Sequence, residues 1–243
     1  MKNKLRFITA AVFLSNLFSA AYGEDAPAKK WSEKAQLTYL SANGNTKSST
    51  LGASNEFQYN WTRAALDLTA GALGSQSKEE VTAEQYFAAE KVSWKLTARN
   101  YAFERTGWDK NRFAGIANRI DASVGLGREL IKTKRNDLIL ELGGGYVNEQ
   151  RVKAPREDFS SGRAYSKYVF AISPQSAFSQ DAEYLHNFEH PDGYRVNAET
   201  ALVSAVSTHM SLKASYLVKY VNQPAPTFGK TDTLTSMALI FNY

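Results

Sequence analysis

The stretch Thr233-Leu234-Thr235-Ser236-Met237-Ala238-Leu239-Ile240-Phe241-Asn242-Tyr243 decides the fold. Successive side chains of an extended chain point to opposite faces, so Met237, Leu239, Phe241 and Tyr243 share one side of a strand. Chain termini usually fray in water, yet here large apolar groups alternate up to the last residue. That pattern is expected of the strand that closes a bacterial outer-membrane β-barrel. The same four residues are then the expected C-terminal signal for the barrel-assembly machinery.

The other end carries a matching expectation. Lys2, Lys4 and Arg6 precede an apolar run from Phe7 to Phe18, followed by small residues at Ala20, Ala21 and Gly23. A basic segment, a short apolar core and a small-x-small site make a secretory signal peptide over residues 1–23. The run is shorter than the roughly 20 apolar residues a membrane-spanning helix needs. Residues 24–31 read as a short leader and residues 32–243 as one barrel domain, exported through the Sec pathway to the outer membrane.

Composition limits the alternatives. With Cys 0, no disulfide framework supports the chain and no lipoprotein cysteine exists. Mean hydropathy of −0.40 excludes a helical membrane bundle, while 13 Tyr, 13 Phe and 4 Trp form a heavy aromatic load. A barrel with lipid outside and water inside accommodates both facts. Removing Lys2, Lys4 and Arg6 lowers the formal charge from +5 to +2, which leaves no basic stripe for nucleic acid.

The interior of the chain alternates as a barrel requires, because backbone groups in hydrocarbon must all be paired and only helices or closed barrels achieve that. Leu66, Leu68, Ala70 and Ala72 oppose Asp67, Thr69 and Gly71. Leu138, Leu140, Leu142 and Tyr146 oppose Glu141, Gly143 and Gly145, and Leu212, Ala214, Tyr216, Val218 and Tyr220 oppose Lys213, Ser215 and Lys219. The segments add up to an all-β, antiparallel up-and-down transmembrane barrel of about twelve strands. Val81 to Phe103 is the least regular part. Tight turns are predicted near Asn60–Thr62, Ala89–Ser93, Thr133–Asn136, Ser173–Ser176 and Ser207–Ser211. Longer polar loops are predicted near Gly74–Glu80, Arg105–Asn111, Gln150–Arg163 and Asn222–Lys230. Short periplasmic turns alternating with longer extracellular loops is the asymmetry of outer-membrane barrels. The first hairpin, at Ala42-Asn43-Gly44-Asn45-Thr46, departs from it by being short.

Four motifs carry a family resemblance: Gly44-Asn45-Thr46, Asn118-Arg119-Ile120 leading into Gly125-Leu126-Gly127, Leu142-Gly143-Gly144-Gly145-Tyr146, and Lys230-Thr231-Asp232-Thr233. In these the chain is similar to the putative salt-induced outer-membrane protein family. The resemblance implies an outer-membrane barrel and no particular activity, because that family is defined by a domain of unknown function.

On this register Asp67, Arg99, Glu141, Lys167, Glu183, Arg195, Glu199, Lys213 and Lys219 face the lumen, as do Glu84, Lys95, Asp181 and Asp232. Interspersed charges either pair and fill the interior or set the selectivity of a narrow passive path for small solutes or ions. A non-conducting barrel with a structural or osmotic-stress role is the alternative. An enzyme like the outer-membrane phospholipases, similar twelve-stranded barrels, is the third reading. A hydroxyl nucleophile needs a base within reach. His209 beside Ser207 and Ser211 reads as turn chemistry, and His186 and His190 as loop residues, so no catalytic residue, metal ligand or cofactor is expected. The aromatics Trp31, Tyr39, Tyr59, Trp61, Trp94, Tyr101, Trp108, Tyr146, Tyr165, Tyr168, Tyr220, Phe241 and Tyr243 are expected at the membrane interfaces, Trp61 and Tyr243 on the periplasmic side. The expected partners are outer-membrane lipid and the assembly machinery, with a monomeric barrel.

Overall fold

The computed structural model describes residues 30–42, 48–77, 80–111 and 114–243. The predicted signal peptide, most of the leader and the Gly44-Asn45-Thr46 motif lie outside the described residues. Among those described, strands β1 (Trp31–Ala42), β2 (Ser48–Asn60), β3 (Ala64–Ser77), β4 (Glu80–Lys95), β5 (Asn100–Asn111) and β6 (Ile116–Lys132) form the first half. Strands β7 (Asn136–Arg151), β8 (Arg156–Ser173), β9 (Ser176–Asn187), β10 (Arg195–Ala205), β11 (Met210–Val221) and β12 (Thr231–Asn242) form the second. Each pairs antiparallel with its sequence neighbours, and β12 pairs with β1 to close the ring. The closing seam is short: Lys34–Thr38 face Ala238–Asn242, whereas β7 and β8 pair from Asn136↔Phe170 to Gln150↔Arg156.

The alternation read from the sequence is the alternation of the wall. Val124, Leu126, Leu142, Leu202 and Met237 lie exposed on the outer face. Glu141, Glu149, Arg163, Glu199 and Lys213 are buried on the inner one. Leaving so continuous an apolar belt uncovered is unfavourable in water, at about 25 cal/mol per Å², and costs nothing against lipid. On β12, Leu234, Ser236, Ala238 and Ile240 are buried inward, while Met237 and the neighbouring Tyr243 are exposed. Trp61, in the turn after β2, sits at the same end as Tyr243, whose amide donates to the Glu33 carbonyl.

The turns at 61–63, 133–135, 174–175 and 206–209 match the predicted ones, but four boundaries differ. In the loop predicted near Gly74–Glu80, Gly74–Ser77 belong to β3 and Glu80 opens β4. The Ala89–Ser93 segment is the middle of β4, and its turn is 96–99. Arg105–Asn111 belongs to β5. Gln150–Arg163 is mostly strand, interrupted only at 152–155, since β7 and β8 run on past the apolar belt as a polar hairpin. Beyond the belt neither face is apolar, so the period-2 signal vanishes while backbone pairing continues. Glu84 is also corrected: Gln85 is the buried inward residue, and Glu84 shares the outer face with Tyr86, which hydrogen-bonds to it. Tyr101 and Tyr165 point into the barrel and are not interface aromatics.

Candidate functional site: the charged interior

The interior is built on a glycine floor. Gly125 and Gly127 of β6 and Gly143 and Gly145 of β7 occupy inward positions. A Cβ at Gly127 would lie 2.1 Å from the Tyr101 ring, and one at Gly125 would lie 2.7 Å from the Phe103 ring. The missing side chains let both rings lie against the wall, and Phe103 is only 2% exposed. Two cations cover them: Lys91 Nζ is 5.3 Å from the Phe103 centroid and 5.5 Å from that of Tyr101. Arg163 Cζ stands 5.7 Å from Phe103 and 4.9 Å from Tyr165. Such cation–ring contacts contribute about 0.5–2 kcal/mol each.

Carboxylates tie these cations together across the lumen. Glu141 on β7 accepts from Lys91 on β4, from the Tyr101 hydroxyl at 2.7 Å and from Arg163 Nη1 at 2.9 Å. Arg163 Nε also donates to Glu183 on β9 at 2.7 Å. The Lys91–Glu141 contact therefore bridges β4 and β7, bypassing β5 and β6. A second bridge lies nearer the loop end, where Arg195 on β10 makes contacts of 2.7 and 2.6 Å to Glu149 on β7. Arg151 Nε adds 2.6 Å to the same carboxylate. Pairing is obligatory at this depth, because removing one member of a buried ion pair typically costs about 3–5 kcal/mol.

A cavity of about 610 Å³ opens beside these bridges. Its lining begins at the turn end with Lys95, Arg99 and Glu129, passes Glu141, Arg163 and Arg119, and reaches Lys219, Pro224 and Ala225 at the loop end. The opposite side of the interior is filled: Leu73 of β3 meets Leu217 of β11 and Leu234 of β12, and Ala201, Val203, Ala238 and Ile240 are buried alongside.

The predicted lumen residues fall into separate groups. Glu141 and Glu183 meet through Arg163, and Lys213 Nζ lies 2.8 Å from Glu199. Lys167 is paired in register with Asp181, and Lys219 with Asp232. Asp67 accepts from Gln58 at 2.9 Å. Arg195 belongs to the Glu149 bridge, and Arg99 is exposed in the 96–99 turn at the cavity mouth. Lys91, Arg105, Glu149 and Phe103 were not singled out from the sequence, while Arg119 stood there only in a family motif and Tyr101 only as an interface aromatic. Glu149 shares the inward face of β7 with Val147 and was readable only by extending that strand past Tyr146.

The histidines have local roles. The Tyr184 hydroxyl is 3.2 Å from His186 Nδ1, and His186 packs edge-on against Phe188 at 5.3 Å between centroids. The Ser160 hydroxyl donates to Glu189 Oε1 at 2.9 Å, so its partner is a carboxylate and not an imidazole. The Ser160 amide, joined by its hydroxyl, holds the Glu189 carboxyl below the usual carboxylate range. His209 Nδ1 sits 2.9 Å from Thr208 Oγ1 in the 206–209 turn.

Twelve antiparallel strands closed in sequence order define an up-and-down β-barrel of the outer-membrane type. The fold is similar to the translocator domain of the autotransporter NalP from Neisseria meningitidis, with TM-score 0.52 and 13% identity over 90% of either chain. The chain belongs to the family described as "Protein of unknown function, DUF481", whose profile matches residues 35–243. It is also 27% identical over 202 residues to the uncharacterized protein YdiY of Escherichia coli (strain K12), covering 83% of this chain and 79% of that protein.

Proposed function

We propose that the barrel resides in the outer membrane and provides a narrow passive pathway for small polar solutes or ions. The observation that carries this reading is the cavity whose polar and charged lining extends from the 96–99 turn to the 222–230 loop. Charged walls on both sides of a path stabilise hydrated solutes while low-dielectric protein confines them. The exposed apolar belt and the aromatics at its edges, including Trp31, Trp61 and Tyr243 at the turn end, support membrane insertion. The reading includes export by the signal segment at residues 1–23 and recognition of Met237, Leu239, Phe241 and Tyr243 by the assembly machinery. It includes a monomeric barrel and assigns no catalytic residue, cofactor or nucleic-acid partner.

A second reading, a non-conducting structural barrel, is favoured by the Lys91–Glu141 and Arg195–Glu149 bridges, which narrow the lumen. Single-channel recording of the refolded protein in a planar lipid bilayer separates the two. Discrete, reproducible steps support the pathway. Silence from protein with the heat-modifiable mobility of a folded barrel supports the structural role.

A further inference from the structure

The loop of residues 222–230 joins β11 to β12, and Ala114 and Gly115 lead into β6 beside the end of β5. These pairs of strands lie on opposite sides of the ring. The loop nevertheless touches Gly115. Ala225 is only 4% exposed although it sits in a loop at the open end of the barrel. A Cβ placed on Gly115 would lie 3.0 Å from the Ala225 Cβ and 3.1 Å from the Phe228 ring. Gly115 has φ +83, a backbone region that L side chains avoid.

Both ends of this contact are held. The Phe228 amide donates to the Ala225 carbonyl at 3.1 Å, forming a tight turn at the loop's tip. At its base, the Val221 amide donates to the Lys230 carbonyl at 2.8 Å, and the Asn222 side chain donates to the Asp192 carbonyl at 2.9 Å. Across the mouth, the Gly115 carbonyl accepts from the Val152 amide at 2.9 Å, and the Ala114 amide donates to the Asn111 side chain at 3.1 Å. Gln223, Pro224, Ala225 and Gly229 line the same cavity as Arg119 and Lys219.

We infer that the 222–230 loop is a strap laid across the barrel mouth, and that the seating of Ala225 and Phe228 on Gly115 sets the size of solute that passes. The proposal rests on the pathway reading above. The strap places the small apolar surfaces of Pro224 and Ala225 directly over the charged cavity, so it restricts by size and not by charge. Any side chain at Gly115 unseats it, and shortening the loop removes it.

The test compares the full chain with two variants in planar bilayers, each verified as folded by heat-modifiable mobility. In one, residues 223–229 are replaced by a two-residue Asn-Gly turn. In the other, Gly115→Leu places a side chain where Ala225 and Phe228 rest. The shortened variant should conduct about threefold or more above the full chain and admit larger uncharged polymers. The Gly115→Leu variant should likewise conduct more than the full chain and admit larger polymers. Unchanged conductance and exclusion size on shortening, with the full chain conducting, would overturn the strap and leave the pathway standing. A silent full chain with a conducting shortened variant upholds the strap and removes the open-pathway reading. Silence from both overturns the two together.

Discussion

The two sides of the barrel interior are assembled differently. Near β10, β11, β12 and β3, Leu73, Leu217 and Leu234 meet directly, and small residues such as Ala201 and Ala238 complete a filled wall. Near β4 to β9, Phe103 and Tyr101 lie on a glycine floor, and Lys91, Glu141, Arg163 and Glu183 form a chain of ion pairs beside an open cavity. The first side is closed by apolar contacts together with tight polar pairs such as Lys213–Glu199 and Ser215–Ser236, the second by ion pairs beside a cavity. The difference teaches that a barrel need not be uniformly polar inside: apolar packing can rigidify one half while the other retains space.

The largest expected effect comes from breaking the charged half. Glu141→Leu leaves the half-buried Lys91 and the buried Arg163 without their shared carboxylate, and should lower stability by about 3–5 kcal/mol. Urea unfolding in lipid vesicles, followed by tryptophan fluorescence, reads it. A loss below about 1 kcal/mol would mean that water already solvates this site. On the filled side, Leu73→Ala should cost about 2–4 kcal/mol, by lost burial and a residual void. Its single-channel current should match the unaltered protein, because the void opens away from the cavity.

Smaller effects sharpen the boundary between the halves. Gly127→Ala puts a methyl where the Tyr101 ring lies, pushing the ring into the cavity. A loss of about 1–3 kcal/mol together with a reduced current is expected. A reduced stability with unchanged current would show that Tyr101 does not border the path. Glu189→Gln, at the rim and in neither half, is the control. The Glu189 carboxyl is held low by Ser160, so its contribution is present above the unfolded carboxyl value near about 4.3. That contribution is lost as pH falls through the folded value. The substitution should lower stability slightly at neutral pH and flatten the acid side of the stability–pH curve, so that the two proteins converge at low pH, as read by thermal melts between acidic and neutral pH.

Much of the fold was legible where the two faces differ in polarity. On β7, β10 and β11 the tyrosines and every leucine but Leu217 lie on the outer face and the charges point inward, so period 2 gave both the strands and the inward set Glu141, Arg195, Glu199, Lys213 and Lys219. On β4 the contrast is inverted: Phe87 and Ala89 line the cavity while Glu84 and Glu90 face outward. On β5, Phe103 is buried beside the exposed Glu104. No alternation survives there, which is why a turn was read into Ala89–Ser93 and Glu84 was placed on the wrong face. The bridges were not legible at all. Lys91 and Glu141 are 50 residues apart, and only ring closure brings their side chains together. The glycines of β6 and β7 were visible, but what rests on them, Phe103 and Tyr101, follows from register with β5.

Because the chain contains Cys 0, single cysteines report water access without interference. The most direct measurement compares Thr69→Cys, bordering the cavity, with Ala201→Cys, buried on the filled side, by their rates of reaction with a charged, membrane-impermeant thiol reagent. Rapid labelling at position 69, accompanied by a stepwise fall in current, and protection at position 201 until the barrel is denatured are the predicted results. Equal labelling at both positions, or protection of both in the folded barrel, would contradict an interior divided between a filled wall and a water-filled path.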